Sequence, residues 1–183
     1  MLRYLRLAHL LSTVTVAVAL CGGPAIAQTE SGLIVAAGLS SKGDDKDFTT
    51  YSLGWRFPLP QVEMLDRLSE KSGGRVTLII EPLLGLITGD ADSVECSVVP
   101  MARYDRPLSE RWGAVAEVGL GLTYSDLRGI KLGSSQAGIG LVRTTTGGRR
   151  VSVGLRIRHI SHAGFWAEAN SGLNTHYLTV SFD

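Results

Sequence analysis

A histidine and a serine stand two residues apart near the end of this chain, at His159 and Ser161. Serine is a weak nucleophile until a base takes its proton, and histidine is the side chain most often used as that base. Residues two apart in a strand share a face and are separated by roughly 6.6 Å, so an imidazole and a hydroxyl can meet if the side chains lean together. The pair is therefore suited to hydrolysis of an ester through a covalent intermediate.

The segment before this pair indicates where such a site would lie. Alternate positions leading up to it form an aliphatic row of Val151, Val153, Leu155 and Ile157. Arg156 and Arg158 fall on the opposite face. A soluble protein usually turns its aliphatic face inward, whereas a barrel in a membrane turns it toward lipid. We predict that His159 and Ser161 face acyl chains and act on a lipid substrate.

A third polar residue is predicted on the same surface. Alternate positions counted back from Phe182 through the last strand reach His176 and then Asn174. Because the last two strands share one loop, Asn174 should lie beside His159 and Ser161. A catalytic base needs a third group that fixes its tautomer and aims its ring, and Asn174 is placed to be that group.

The N-terminal segment has the pattern of a secretory signal. Two arginines precede an apolar run over 7–20, and small residues at 25–27 offer a cleavage site. We predict a signal peptide over residues 1–27 and one outer-membrane β-barrel domain over residues 28–183.

Cysteine content and net charge limit the modifications, disulfides and partners that the chain can have. A lipid-modified Cys21 is the other interpretation of the N-terminus, but Leu20 is large for the position before such a cysteine. Only Cys96 would remain after cleavage, which excludes an intrachain disulfide. The formal net charge is +1 and the basic residues are scattered, so we expect no nucleic-acid partner.

Eight segments alternate apolar and polar residues between turn signals, which predicts eight strands. They span about 31–39, 48–57, 75–87, 93–104, 112–125, 134–144, 149–162 and 174–182. No segment of the mature chain has the roughly 18 consecutive apolar residues of a transmembrane helix, so any span must be built from strands. The predicted fold class is all-β, an eight-stranded antiparallel up-and-down transmembrane β-barrel.

Connections between the strands predict an orientation. If the chain enters the barrel from the periplasm, odd-numbered strands run toward the cell surface, and His159 and Ser161 lie in the region of the outer leaflet. Residues 145–148 then form a short periplasmic turn, whereas 43–46 and 127–129 fall in surface loops.

The 58–74 connection is long for a periplasmic turn. Val62, Leu65 and Leu68 have helical spacing among charged residues, which predicts a short amphipathic periplasmic helix. Its expected structural role is a plug or cap on the barrel mouth.

The inward faces of the strands carry charged residues and many glycines. The charged residues are Arg56, Glu81, Glu95, Arg103, Glu117, Arg156 and Arg158. An eight-stranded barrel is filled by side chains, so we expect these charges to pair across the lumen. Pro82 and Pro100 each remove a ladder hydrogen bond, and we expect a bulge or a bend where they lie.

The residues around the histidine and serine resemble the motif of a known family. The match comprises His159, Ser161, Ala163 and Gly164, followed by Asn170 and Gly172. It resembles the motif of the bacterial outer-membrane lipid A 3-O-deacylases of the PagL type, in which a Ser–His–Glu triad lies outside an eight-stranded barrel. The motif covers about the last 30 residues. The resemblance implies hydrolysis of the ester-linked acyl chain at the 3-position of lipid A.

By this resemblance Ser161 would be the nucleophile and His159 the general base. Asn170 would help to hold the oxyanion, and donors near Ala163 and Gly164 would assist it. No metal or organic cofactor is implied. The expected partners are lipid A, or lipopolysaccharide, and the lipids of the outer membrane.

Two positions depart from the family's pattern. Asn174 occupies the slot of the family's glutamate, and His162 follows the serine where asparagine is common. An amide can orient a histidine but cannot offset the charge of an imidazolium, so activity could be lowered. Glu168 is the nearest carboxylate in the loop and is the fallback for the orienting role, although a solvated loop acid is its simpler interpretation.

Two other functions fit an eight-stranded secreted barrel. A non-catalytic outer-membrane barrel with a structural or adhesive role explains the strands but gives no reason for three polar groups on the lipid face, where such groups are costly. A soluble lipocalin-like carrier should turn its charges outward, the opposite of the pattern here. The leading hypothesis is a lipid A deacylase whose site faces the outer leaflet; the sequence leaves both a monomer and a homodimer open.

Overall fold

The computed structural model describes residues 31–42, 46–89, 92–125, 129–161 and 173–183, which form one closed β-barrel. Its strands are β1 Gly32–Lys42, β2 Lys46–Pro58, β3 Arg75–Thr88, β4 Ser93–Pro107, β5 Trp112–Ser125, β6 Gly129–Thr144, β7 Arg150–Ile160 and β8 Leu173–Phe182. Consecutive strands pair antiparallel, and β1 pairs with β8 to close the sheet. The predicted eight-stranded up-and-down barrel is confirmed. The predicted signal peptide lies outside the described residues.

The chain termini distinguish the two ends of the barrel. At one end, the terminal end, Leu33 pairs with Phe182, and the turns 108–111 and 145–149 connect neighbouring strands. In the second turn the N–H of Gly148 donates to the carbonyl of Thr145, and Gly148 adopts a φ of 79° that favours glycine. The opposite end, the loop end, is where β7 finishes at Ile160.

The outer surface of the barrel is apolar and the inner surface is polar. Side chains alternate between the two along each strand, as the pleat requires. In β5, Leu120 is 72% exposed on the outside, whereas Thr123 is 2% exposed inside. The largest exposed side chains outside include Trp55, Leu84, Trp112, Leu120, Ile139 and Leu155. This is the inverse of a soluble protein and is typical of a barrel that lipid surrounds.

Buried ion pairs fill the middle of the lumen. Glu81 accepts from Arg56 at 3.0 Å and also pairs with Arg156, while Glu117 lies 2.8 Å from Arg156 and 3.3 Å from Arg103. These side chains are at most 8% exposed. The predicted pairing of charges across the lumen is present, and the network joins strands that are far apart in sequence.

Helix α1, Glu63–Ser72, occupies the connection between β2 and β3, as the helical spacing predicts. It ends at Gly73, whose φ of 67° is the left-handed conformation common after a helix. Leu65 is its buried residue, and the hydroxyl of Tyr104 donates to the Ser72 carbonyl at 2.9 Å. No helix in the described ranges is long and apolar enough to cross a membrane. The burial of Leu65 and the hydrogen bond from Tyr104 hold the helix beside the terminal end of the barrel.

The prolines act differently from the sequence prediction. Pairing between β2 and β3 is interrupted beside Pro82, and pairing between β4 and β5 is interrupted beside Pro100, but the register is the same before and after each gap. No bulge lies at either proline, because a missing N–H opens the ladder without adding a residue, and the alternative expectation of a bend stays a prediction. The register shift lies instead between β5 and β6, at Gly121 and Thr123.

Candidate functional site

The outward row of β7 has the arrangement that the sequence predicts. Val153, Leu155 and Ile157 are exposed on the outer surface, and His159 continues the row as a half-buried residue. Arg158, between these positions, is 1% exposed and points into the lumen. The imidazole therefore lies on the lipid-facing surface of the barrel, near the loop end.

His159 and Asn174 are direct register partners on β7 and β8. The Nδ1–H of His159 donates to the Oδ1 of Asn174 at 2.7 Å. An amide oxygen only accepts hydrogen bonds, so this contact requires the ring proton to be on Nδ1 and leaves the lone pair on Nε2. The structure thus brings together two of the three predicted site residues in a geometry that orients a base.

Ser161 lies one residue beyond the end of β7. The sequence predicts a strand that continues to residue 162, but regular pairing ends at Ile160. The backbone N–H of Ser161 still donates to the carbonyl of Gly133 at 3.0 Å, which ties this residue to the preceding strand. Ile160 is buried and Ser161 is half-buried, so the alternation of faces continues past the end of the strand.

Buried contacts on the luminal side hold both strands beneath the site. Arg158, next to His159, donates to Glu95 at 2.6 Å, and its guanidinium lies 5.1 Å from the centre of the Tyr177 ring. Thr175, next to Asn174, is 2.8 Å from the Ser40 hydroxyl. Packed and bonded inward residues fix the backbone from which the outward residues project.

A further polar residue on this surface was not singled out by the sequence. Ser135 on β6 is the register partner of His159 and is exposed on the outer face. Ser135, His159 and Asn174 consequently form a row across three neighbouring strands. Side chains alternate along a strand, so Ser135 shares the outward face of β6 with Ala137, Ile139 and Leu141. Only the register between β6 and β7 places it opposite the histidine.

The remaining predicted residues of the site, Ala163, Gly164, Glu168 and Asn170, lie outside the described residues. Their roles in holding the oxyanion or orienting the base stay predictions. Among the residues that the structure describes, no group of three His, Cys, Asp or Glu side chains could hold a metal ion.

Comparison with known proteins identifies one family and two similar solved structures. A family model described as Lipid A 3-O-deacylase (PagL) matches residues 49–183, which is more than half of the chain. A crystal structure of the outer-membrane enzyme PagL is similar with a TM-score of 0.58 and 20% identity, covering 81% of this chain and 97% of that one. The crystal structure of Neisserial surface protein A is similar with a TM-score of 0.54 and 13% identity, covering 83% of this chain and 93% of that one. No curated protein matches the chain significantly. At these identities the two solved structures support the fold alone.

Proposed function

Because the chain belongs to the lipid A 3-O-deacylase (PagL) family, we propose that it is a serine esterase that removes the ester-linked hydroxyacyl chain from the 3-position of lipid A. Membership implies a hydrolase that acts on lipid A, and the barrel fold agrees with a location in the outer membrane. The finer proposal concerns which residues perform the hydrolysis and from which leaflet the substrate comes.

The observation that carries the proposal is the hydrogen bond between His159 and Asn174 on the lipid-facing surface. A fixed Nδ1–H leaves Nε2 free to take the proton of the Ser161 hydroxyl as its oxygen attacks the ester carbonyl. The tetrahedral intermediate collapses to an acyl-enzyme when the sugar oxygen of lipid A leaves with the proton from Nε2. Water, deprotonated by the same nitrogen, then attacks the acyl-enzyme and releases a 3-hydroxy fatty acid.

The carbonyl oxygen gains a negative charge in both tetrahedral intermediates and needs hydrogen-bond donors. We assign this role to Asn170 and to donors near Ala163 and Gly164, on the strength of the motif. The assignment requires the segment after Ser161 to return over the ester carbonyl.

Asn174 replaces the acid of the family's triad and supplies only part of its function. Its oxygen fixes the tautomer and direction of the imidazole, which is a geometric task that a neutral amide performs. It provides no negative charge when His159 becomes protonated in the transition state. A hydrogen bond to a charged acceptor is roughly twice as strong as a neutral one, so we expect a slower enzyme than a glutamate would give.

Lipid A is proposed to approach from the outer leaflet. The turns 108–111 and 145–149 lie with the termini of the barrel at the terminal end. Both termini of the barrel lie at this end, and with the chain entering from the periplasm the loop end, with His159 and Ser161, is assigned to the cell surface. Lipid A would then move sideways within its own leaflet to reach the site.

The test is the mass of lipid A from a Gram-negative host that expresses the full chain. The wild type should lower it by one hydroxyacyl group, and Ser161→Ala should restore the full mass while the barrel remains folded. Ser72→Ala, an exposed serine of α1 at the opposite end, is the matched control and should act like the wild type. An unchanged mass with the wild-type protein would favour the non-catalytic barrel with a structural or adhesive role.

A further inference from the structure

The outer surface carries an open groove at the terminal end, away from the candidate site. The groove has a volume of about 560 Å³ and runs across the wall from β4 to β8. Its lining is almost entirely apolar and includes Ala114, Ala116, Leu141, Val153 and Leu155. Small alanines on β5 beside larger aliphatic residues on β6 and β7 make a depression in this part of the outer surface.

Two glycines lie in the wall behind the groove, on the luminal faces of β6 and β7. Gly140 and Gly154 are register partners on β6 and β7, and both line the groove. A Cβ on Gly140 would be 2.6 Å from the carbonyl oxygen of Val153, and one on Gly154 would be 2.7 Å from that of Ile139. Because both positions alternate with the outward residues of their strands, an added side chain would point into the lumen and displace the wall from inside. The glycines therefore let β6 and β7 keep their spacing behind the groove.

Two arginines flank the terminal end of the groove on the outer surface. Arg106 lines it from β4, and Arg143 on β6 lies 5.6 Å from the centre of the Trp112 ring. Arg103 and Arg156, which point into the lumen, pair with carboxylates. In the described part of the chain no carboxylate pairs with the two outer arginines. Both guanidinium groups are therefore available to an anion from outside the protein.

We propose that this groove and its two arginines bind one anionic glycerophospholipid, with an acyl chain in the groove and the phosphate between Arg106 and Arg143. The two residues lie on strands separated only by β5 and are two residues apart in register, so about 12 Å separates their backbones and both long side chains can reach one headgroup. Guanidinium groups match phosphate oxygens in shape and charge. Tyr104 and Trp112 beside them are the aromatic residues expected at the level of lipid headgroups.

The site is distinct from the one proposed for lipid A. Arg143 pairs with Val151, and along β7 this row is eight residues, or roughly 26 Å, from His159. At the strand tilt of about 35–45° in such barrels this is about 20 Å along the membrane normal, which is most of the roughly 25 Å apolar band, so the two sites serve opposite leaflets. In the proposed orientation the groove takes a phospholipid of the periplasmic leaflet.

Quenching of Trp112 by brominated lipids tests this inference without any need for deacylase activity. The chain has three tryptophans, so Trp55→Phe and Trp166→Phe leave Trp112 as the single reporter. The full chain is reconstituted into phosphatidylcholine vesicles with an equal fraction of brominated phosphatidylglycerol or brominated phosphatidylcholine. We expect phosphatidylglycerol to be favoured at Trp112 by up to about 25-fold, about fivefold for each of the two arginines.

Arg106→Gln with Arg143→Gln should remove the preference. Arg67→Gln with Lys71→Gln is the matched control, because it removes the same charge from exposed α1 at the same end of the barrel. It should leave the preference unchanged. Equal quenching by both brominated lipids in the wild type would overturn the proposal. An equal loss in both double variants would also overturn it, because diffuse surface charge would then explain the preference.

Discussion

Two groups of polar side chains in this barrel differ in how completely the protein itself satisfies them. Around Glu81 in the lumen, Arg56 and Arg156 are buried and each contacts more than one carboxylate. On the outer face, His159 and Asn174 share one exposed hydrogen bond, and neither takes part in an ion pair of the described residues. The comparison indicates that the inner charges hold the fold together, whereas the outer groups are available for chemistry.

The largest expected effect separates activity from stability at the outer site. His159→Ala should lower the rate of deacylation by about 10³-fold, because general-base catalysis by a positioned side chain contributes about that much. The unfolding free energy should change by no more than about 0.5 kcal/mol, since the side chain makes one exposed hydrogen bond. Deacylation of purified lipid A in mixed micelles and urea unfolding measure the two quantities.

His176→Ala is the matched control for that experiment. His176 lies on the same outer face of β8, and its register partner is Ile157, two residues before His159 on β7. Its loss should alter neither the rate nor the stability substantially. If His159→Ala retained a tenth or more of the wild-type rate, the imidazole would not be the base.

The inner network should show the converse behaviour. Glu81→Ala leaves Arg56 and Arg156 with one carboxylate fewer in the lumen, and breaking a buried pair in this way costs about 3–5 kcal/mol. Glu63→Ala is the control, because its ion pair with Arg67 is exposed and is worth about 0.5 kcal/mol or less. Urea unfolding of the two variants in vesicles should differ accordingly. Equal losses would show that the luminal network does not stabilise the barrel.

The separation of these two faces could be predicted from the sequence, because side-chain alternation is a local rule. Counting back by two from Phe182 places Asn174 on the outside, and the shared connection places it near His159. The structure confirms that these two residues are adjacent. The same rule assigns Arg158 and Glu95 to the lumen, although only barrel closure shows that they pair with each other.

The features that the sequence did not predict depend on strand register rather than on the alternation of apolar and polar residues. Ser135 lies opposite His159 because of the register between β6 and β7, and no local sequence signal specifies that register. The register is the same on both sides of Pro82, and β7 ends at Ile160; both features likewise depend on pairing with neighbouring strands. The segment with Asn170 was identified by its motif alone, so its geometry was not predictable from alternation.

A substitution at Asn174 can add a negative charge beside His159 on the outer face. Asn174→Glu should raise the deacylation rate by about tenfold, because a carboxylate stabilises the imidazolium that an amide cannot. Asn174→Asp keeps the length of the native side chain and separates the effect of charge from that of reach. Asn174→Leu should lower the rate below the wild type, since the ring loses its orienting partner.

The same rate measurements decide between Asn174 and the fallback carboxylate. If Asn174→Glu and Asn174→Leu both left the rate unchanged while Glu168→Ala abolished activity, Glu168 would be the orienting residue. The hydrogen bond between His159 and Asn174 would then be structural only.

The smallest expected effect concerns Ser135, which extends the outer polar row by one strand. Its hydroxyl makes no side-chain hydrogen bond within the described ranges, and its Cβ should lie about 5 Å from that of His159. We expect Ser135→Ala to raise the KM for lipid A two- to threefold with kcat unchanged, as loss of one exposed neutral hydrogen bond to the substrate would do. Steady-state kinetics in mixed micelles resolve this difference.

Ser134→Ala is the matched control, because Ser134 is the neighbouring residue and points into the lumen. Its loss should leave KM unchanged, so a difference between two adjacent serines would show that the substrate contacts the outer face at this row. A fall in kcat for Ser135→Ala as large as that for His159→Ala would instead place the Ser135 hydroxyl among the reacting groups. The choice of Ser161 as the nucleophile would then have to be settled by identifying which serine carries the acyl group.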